Sequence, residues 1–203
     1  MKDDFTRVLE STNELFMRYG IRSVSMDDVA REVGMSKKTI YQHFTDRTHL
    51  VDAVIEHHIQ TIKTNCDTIC YEMENPIDQL LEIARYFHSL TRQMNPTLLF
   101  DLKKYFPQSW KKLSAFRLDQ VHEQISDNLL KGREMGLYRT DFNIDIVVKL
   151  YIHLVGVILD DDLFPKVQYT FKELHHEMLM YHLHGISTFA GIEYLHEKQS
   201  KNE

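Results

Sequence analysis

Residues that break helices are scarce in this chain. Its 203 residues include seven glycines and four prolines, too few for a fold of many tight hairpins, and that favours long helices. Long apolar runs are missing too. No stretch approaches about 18 uninterrupted apolar residues, so no membrane-spanning helix is expected. The opening MKDDFTRVLE lacks the apolar core of a secretory leader, and the chain therefore reads as cytoplasmic. Cysteine is almost absent: Cys66 and Cys70 are the two present. At i, i+4 they share one helix face, a strained geometry for a disulfide, and a reducing compartment keeps thiols free. They read as small apolar residues in a helix interface, with a thiol sensor or a metal site as the alternative.

Catalytic signatures are also lacking. There is no G-x-S-x-G, no G-x-x-x-x-G-K, no H-E-x-x-H and no C-x-x-C. The reading is therefore not an enzyme, with no cofactor and no metal. A helical enzyme whose histidines and aspartates meet only in space is the rival class. Basic charge is in short supply as well: the formal net charge is -6. Taken alone this argues against nucleic acid, but one face suffices to touch DNA, so the local distribution decides.

What is present is helical periodicity. Phe5, Val8, Leu9, Thr12, Leu15, Phe16 and Tyr19 are spaced 3, 1, 3, 3, 1, 3, one apolar stripe on a first helix. Gly20 ends it. Ser25 then caps a short second helix, with Asp27 and Asp28 in its first turn where the dipole favours negative charge. Met26, Val29, Ala30 and Val33 are its buried side. Gly34 breaks it, and Ser36 caps a third helix over Lys37 to Phe44. Ile40 and Phe44 face inward, and Lys37, Lys38, Thr39, Tyr41, Gln42 and His43 are left for the outer faces. Val33 to Phe44 holds two lysines and no acid. Two short helices about a glycine turn, the second basic on its outside, is the layout of a helix-turn-helix that puts one helix into the major groove. A Lys-Lys pair by itself would be no more than a solvated face.

The run GIRSVSMDDVAREVGMSKKTIYQHFTDRTHLVDAV resembles the DNA-binding segment of TetR-type transcriptional regulators over about residues 5 to 55. The family pattern has a glycine after the first helix, an acidic short helix ending in Ala-x-x-x-Gly, then Ser-Lys-x-Thr-Leu-Tyr-x-His/Tyr-Phe. Lys38 departs from it by standing where a small residue is common. Thr48 and His49 stand where Glu is frequent. The resemblance implies an all-α fold with a DNA-binding domain over 1–47 and a helical ligand-binding and dimerisation domain over 48–203. It implies DNA contacts at Ser25, Ser36, Lys37, Lys38, Thr39, Tyr41, Gln42, His43 and Arg47. Lysines suit guanine edges or phosphates, Thr39 and Gln42 base edges or a thymine methyl, and Tyr41, His43 and Arg47 phosphates. Ser25, with the free N–H groups of its helix, suits another phosphate. It further implies a homodimer through about residues 143–196 on palindromic double-stranded operator DNA, released by an unidentified small molecule. Repression is the usual mode, and activation the alternative.

The body reads as further helices, about nine in all. Thr45 or Asp46 caps a long fourth helix. Asn75-Pro76 and Asn95-Pro96 read as cap-plus-first-turn pairs opening helices over about 76 to 93 and 96 to 105. Pro107 opens another that Gly136 ends. Asn143 caps the next, and a single last helix covers about 168 to 196, followed by a polar tail, EKQSKNE. The last two helices are apolar over more than one stripe, as expected of helices buried on two sides. An effector pocket inside the body is expected around Cys66, Tyr86, Phe87, Phe100, Tyr105, Trp110, Phe116 and Tyr151, whose rings suit a flat or lipophilic ligand; each of them taken singly also reads as core. His175, His176, His182 and His184 look metal-like but contain no i, i+4 pair, so no metal is assigned, although a sensing role stays open. Asp160-Asp161-Asp162 reads as a loop pairing with Lys166 or Lys172, with a cation site as the alternative.

Overall fold

The computed structural model describes residues 3–92, 94–160, 162–165 and 167–200. Among them the chain forms ten helices: α1 (Asp4–Tyr19), α2 (Met26–Val33), α3 (Lys37–His43), α4 (Arg47–Glu72), α5 (Pro76–Thr91), α6 (Leu98–Tyr105), α7 (Pro107–Glu134), α8 (Ile144–Val157), α9 (Phe171–Ile186) and α10 (Phe189–Ser200). The described residues form no strand beyond one isolated bridge between Tyr138 and Ser187.

Most helix starts carry a side-chain cap that satisfies an otherwise orphaned N–H. Asp3 accepts from Thr6, Ser36 from Thr39, Asn143 from Ile146 and Thr170 from Glu173. Asp46, rather than Thr45, caps α4, accepting from the His49 N–H at 2.8 Å. Asn75 accepts from the Ile77 N–H at 2.9 Å with Pro76 at the first helical position, where a missing N–H costs nothing.

Three helix boundaries differ from the sequence expectation. Asn95-Pro96 does not open a helix. Asn95 instead turns the chain, its Oδ1 accepting from the Thr97 N–H at 3.0 Å and hydroxyl at 2.8 Å, and α6 starts at Leu98. The expected single last helix is two. Ser187 is extended (φ -77°, ψ 150°), and the Thr188 hydroxyl accepts from the Gly191 N–H at 3.2 Å, capping a new start. The hydroxyl also donates to the Gly136 carbonyl at 2.8 Å, tying the break to the end of α7. Helix α10 then continues through Glu197–Ser200, residues expected to be a polar tail. Asp160 sits in the loop after α8, its carboxylate accepting from the Asp162 N–H at 2.9 Å. Asp161 and Lys166 lie outside the described residues.

The chain divides into two compact units, one of residues 1–65 and 92–117, the other of residues 66–91 and 118–203. Each has its own apolar core. In the first, Val8, Phe16, Val29, Ile40, Phe44, Leu50 and Val54 pack together with Leu98, Leu102 and Phe106. In the second, Ile77, Leu80, Leu129, Tyr138, Val148, Leu179, Leu183 and Leu195 do so. Tyr138 is wedged against Gly132, where an added Cβ would meet its ring at 1.9 Å. Its hydroxyl donates to the Asn128 side-chain oxygen at 3.1 Å, so this large buried polar ring is satisfied.

Candidate nucleic-acid interface

The reading element is assembled from local signals. Ser25 and Asp28 form a reciprocal capping box at the start of α2. Gly34 ends α2 in the left-handed region (φ 67°, ψ 31°), and two residues later Ser36 caps α3. Glycine takes that conformation at little cost, so the turn between the helices is tight. Ile40 and Phe44 are fully buried and fix the rotation of α3. Ala30, also buried, keeps α2 slim where the other helices pack. Arg7 reaches from α1 to donate to the Val33 carbonyl at 2.7 Å, fastening the end of α2.

With Ile40 and Phe44 turned inward, Lys37, Lys38, Tyr41 and Gln42 are exposed on α3, and Thr39 and His43 are half-buried. Lys37 pairs with Asp27 at 3.1 Å on the surface. Such an exposed pair contributes about 0–1 kcal/mol and yields readily to a phosphate. Ser36 and Thr39 share a 2.8 Å hydroxyl contact. The His43 ring lies 6.1 Å from Phe5, which stacks on Phe44 at 5.2 Å. Among the described residues nothing engages Lys38, the Tyr41 hydroxyl or Gln42, so one surface presents a cation, a phenol and an amide to solvent.

Two of the expected contact residues are employed elsewhere. Ser25 donates its N–H to Asp28 at 2.9 Å and its hydroxyl to the same carboxylate at 2.6 Å. It thus caps α2 and has both donors taken. Bonding to Ser25 also holds the Asp28 carboxyl below its ordinary pKa. Arg47 is half-buried, donates to the Ile21 carbonyl at 2.5 Å and sits 6.0 Å over the Phe106 ring. It braces the α1–α2 connection from inside the unit. Sequence reasoning passed over Arg7 and Arg22. Arg22 donates its N–H to Asp101 at 3.2 Å and its guanidinium to the Tyr105 hydroxyl at 3.0 Å. Neither long-range partner leaves a local signal.

The eight expected pocket residues divide between the units. Phe100, Tyr105, Trp110 and Phe116 belong to the first, and Cys66, Tyr86, Phe87 and Tyr151 to the second. Phe100 and Tyr105 are exposed, with the Lys104 ammonium 5.2 Å and 5.4 Å from their ring centres. Trp110 packs against the core of the first unit. Tyr151 is buried in the second, its ring centre 4.6 Å from that of His182 in an edge-on arrangement, and burial raises its phenol pKa. Burial pushes the Cys66 thiol up to about 11 and also raises Cys70, so neither is a ready thiolate. His175 and His182 are buried and His176 and His184 exposed. The described residues contain no cluster of three potential metal ligands. None of the described helices is long and apolar enough to cross a membrane.

Capped short helices, a left-handed glycine and a basic exposed helix face define a helix-turn-helix protein. Comparison with known proteins narrows this. Residues 8–54 match the family model described as bacterial regulatory proteins, tetR family. An HTH-type transcriptional regulator of Bacillus subtilis (strain 168), YvaF, is 29% identical over 184 residues, covering 89% of this chain and 94% of that one. A transcriptional regulator from Cytophaga hutchinsonii shares the fold at a TM-score of 0.69 and 19% identity, over 92% of this chain and all of that one. So does a putative transcriptional regulator from Saccharomonospora viridis, solved in complex with choline, at 0.69 and 18% over 91% and 97%. The N-terminal segment thus matches the tetR family of bacterial regulatory proteins, and the chain along most of its length is similar to an HTH-type transcriptional regulator.

Proposed function

We propose that the chain is a homodimeric repressor whose two α3 helices read the half-sites of a palindromic operator and release it when a small molecule binds. In this reading residues 1–47 do the reading, residues 48–203 do the pairing and sensing, and the protein works in the cytoplasm. The observation that carries it is the unengaged outer face of α3, with Lys38, Tyr41 and Gln42 exposed on a helix locked by Ile40 and Phe44. Lys37 and His43 flank that face. A single helix reads too few bases for specificity, whereas a two-fold pair matches two half-sites about one turn, roughly 34 Å, apart.

Pairing has its own support in the second unit. Ile146, Leu150 and Val157 are exposed on α8 at i, i+4 and i+11, one apolar stripe with no cover inside the monomer. Tyr181 and Phe189 are more than three-quarters exposed on α9 and α10. Such a surface is what a second copy would bury within residues 143–196. Effector and operator binding would be reciprocally linked.

The test is a salt-dependent gel shift on DNA from the gene's own upstream region. The wild type shifts it, and the Lys37→Ala, Tyr41→Ala double variant loses the shift while keeping its helical circular dichroism. A double variant that binds normally would show that α3 is not the reading helix.

A further inference from the structure

The second unit carries an open cavity of about 450 Å³ flanked by α5, α9 and α10. Its composition is lopsided. Leu81, Leu179 and Met180 give it an apolar lining, and Arg85, Lys172 and Lys198 a cationic one, while no carboxylate is among its lining residues. Two of these cations have acidic partners just outside the lining. Arg85 pairs with Glu82, and Lys198 with Asp78 at 2.9 Å. Lys172, exposed at the cavity, makes no ion pair among the described residues.

His88 and His176 also line the cavity. Burial, with Lys172 and His176 close by, holds the His88 imidazole below its ordinary pKa. His88 faces the buried His175, their ring nitrogens 3.1 Å apart. Apolar side chains beside three cations form a lining that a plain inorganic anion would use only in part.

We propose that this cavity binds a small amphipathic anion, its carboxylate or phosphate head on Lys172 and Arg85 and its acyl or aryl body along Leu81, Leu179 and Met180. The volume is in the range of small-molecule sites, roughly 300–1,000 Å³. Arg85 offers a planar fork to the head and Lys172 a point charge. The site does not depend on the operator reading. It is also distinct from the proposed pairing surface, because Tyr181 follows Lys172 by about two and a half turns of α9 and so lies on the opposite side.

Titration calorimetry of the full chain with decanoate, decyl phosphate and decanol, each below its micelle or solubility limit, tests this. One anion per chain is expected to bind, with decanol at least about tenfold weaker, since the head loses its charge-assisted hydrogen bonds. The Lys172→Glu variant is expected to weaken the anions at least about tenfold and to leave decanol unchanged, with Lys172→Ala showing a smaller loss of the same kind should Lys172→Glu fail to fold. Tighter binding of decyl phosphate than of decanoate identifies a phosphate head, and the reverse a carboxylate. Anion binding that is equal in wild type and both Lys172 variants, no heat with either anion, or decanol binding as tightly as decanoate would each overturn the proposal.

Discussion

Lys38 and Arg47 carry the same charge and put it to opposite uses. Lys38 is exposed with no partner among the described residues, whereas Arg47 is half-buried on the Ile21 carbonyl. Replacing Lys38 with Ala should leave the urea midpoint within the error of wild type, since nothing in the fold leans on it. It should also lower the slope of log affinity against log salt by about one per protomer. An unchanged slope would remove Lys38 from the phosphate contacts. Arg47→Ala should instead destabilise by about 1.5–3 kcal/mol, the scale of a lost hydrogen bond from a charged donor. A variant that melts like wild type and only binds DNA less well would return Arg47 to the interface. Both residues sit in the same sequence pattern. What separates them is a carbonyl 26 positions away, which no local spacing announces.

Among the elements, the helix-turn-helix was legible because every signal in it is short-range. Ser25, Gly34 and Ser36 cap and break helices within three or four residues of themselves, and Ile40 and Phe44 mark an inner face by spacing alone. The later helices were harder for two reasons. The apolar pattern runs on through Ile186 and Phe189, while the break between α9 and α10 depends on the Thr188 hydroxyl meeting the distant Gly136 carbonyl. In α8 apolar residues stand on every side, so periodicity does not separate buried Val148 from exposed Leu150. The glycines follow the same division. Gly34→Ala should cost about 1 kcal/mol, because its left-handed φ is the problem and nothing within 4 Å obstructs a methyl. Gly132→Ala has an ordinary helical backbone but would drive a Cβ into the Tyr138 ring. It should cost more, about 1–3 kcal/mol. Denaturant midpoints for the pair will order them, and Gly34→Ala emerging as the more damaging would contradict both accounts.

For the molecule as a whole, stability should fall on the acid side of neutrality. His58, His175 and His182 are held neutral by burial, with folded pKa values of about 4. Unfolded, each takes up a proton below about 6.5. Their neutral burial is therefore harmless above that value, and it opposes folding progressively as pH falls from about 6.5 towards 4. Across that window each contributes a loss of up to about 1.4 kcal/mol per pH unit. Urea midpoints measured between pH 7.5 and 5 should show the decline, and a flat profile would mean these rings are not buried neutral. Oligomeric state gives a second test at this scale. Leu150→Glu places a charge in the apolar stripe of α8 and should yield a monomer in light scattering with intact helicity. A dimer that survives the change would move the pairing surface elsewhere.

The first unit is not continuous in sequence, and that bears on how such regulators can be recombined. Leu98, Leu102 and Phe106 are buried in the same core as Ile40 and Phe44. Asn95 closes the end of α1, donating its backbone N–H to the Met17 carbonyl at 2.6 Å, and Ser109 and Lys112 both bond to Asp52. A chimaera that transplanted only the first fifty residues onto a relative's body would leave this part of the core to a stranger's side chains. Exchanging DNA preference between such proteins therefore calls for moving two separated segments together, 1–65 and 92–117. The alternative is to alter only the outer face of α3, where Lys38, Tyr41 and Gln42 can change without disturbing what holds them.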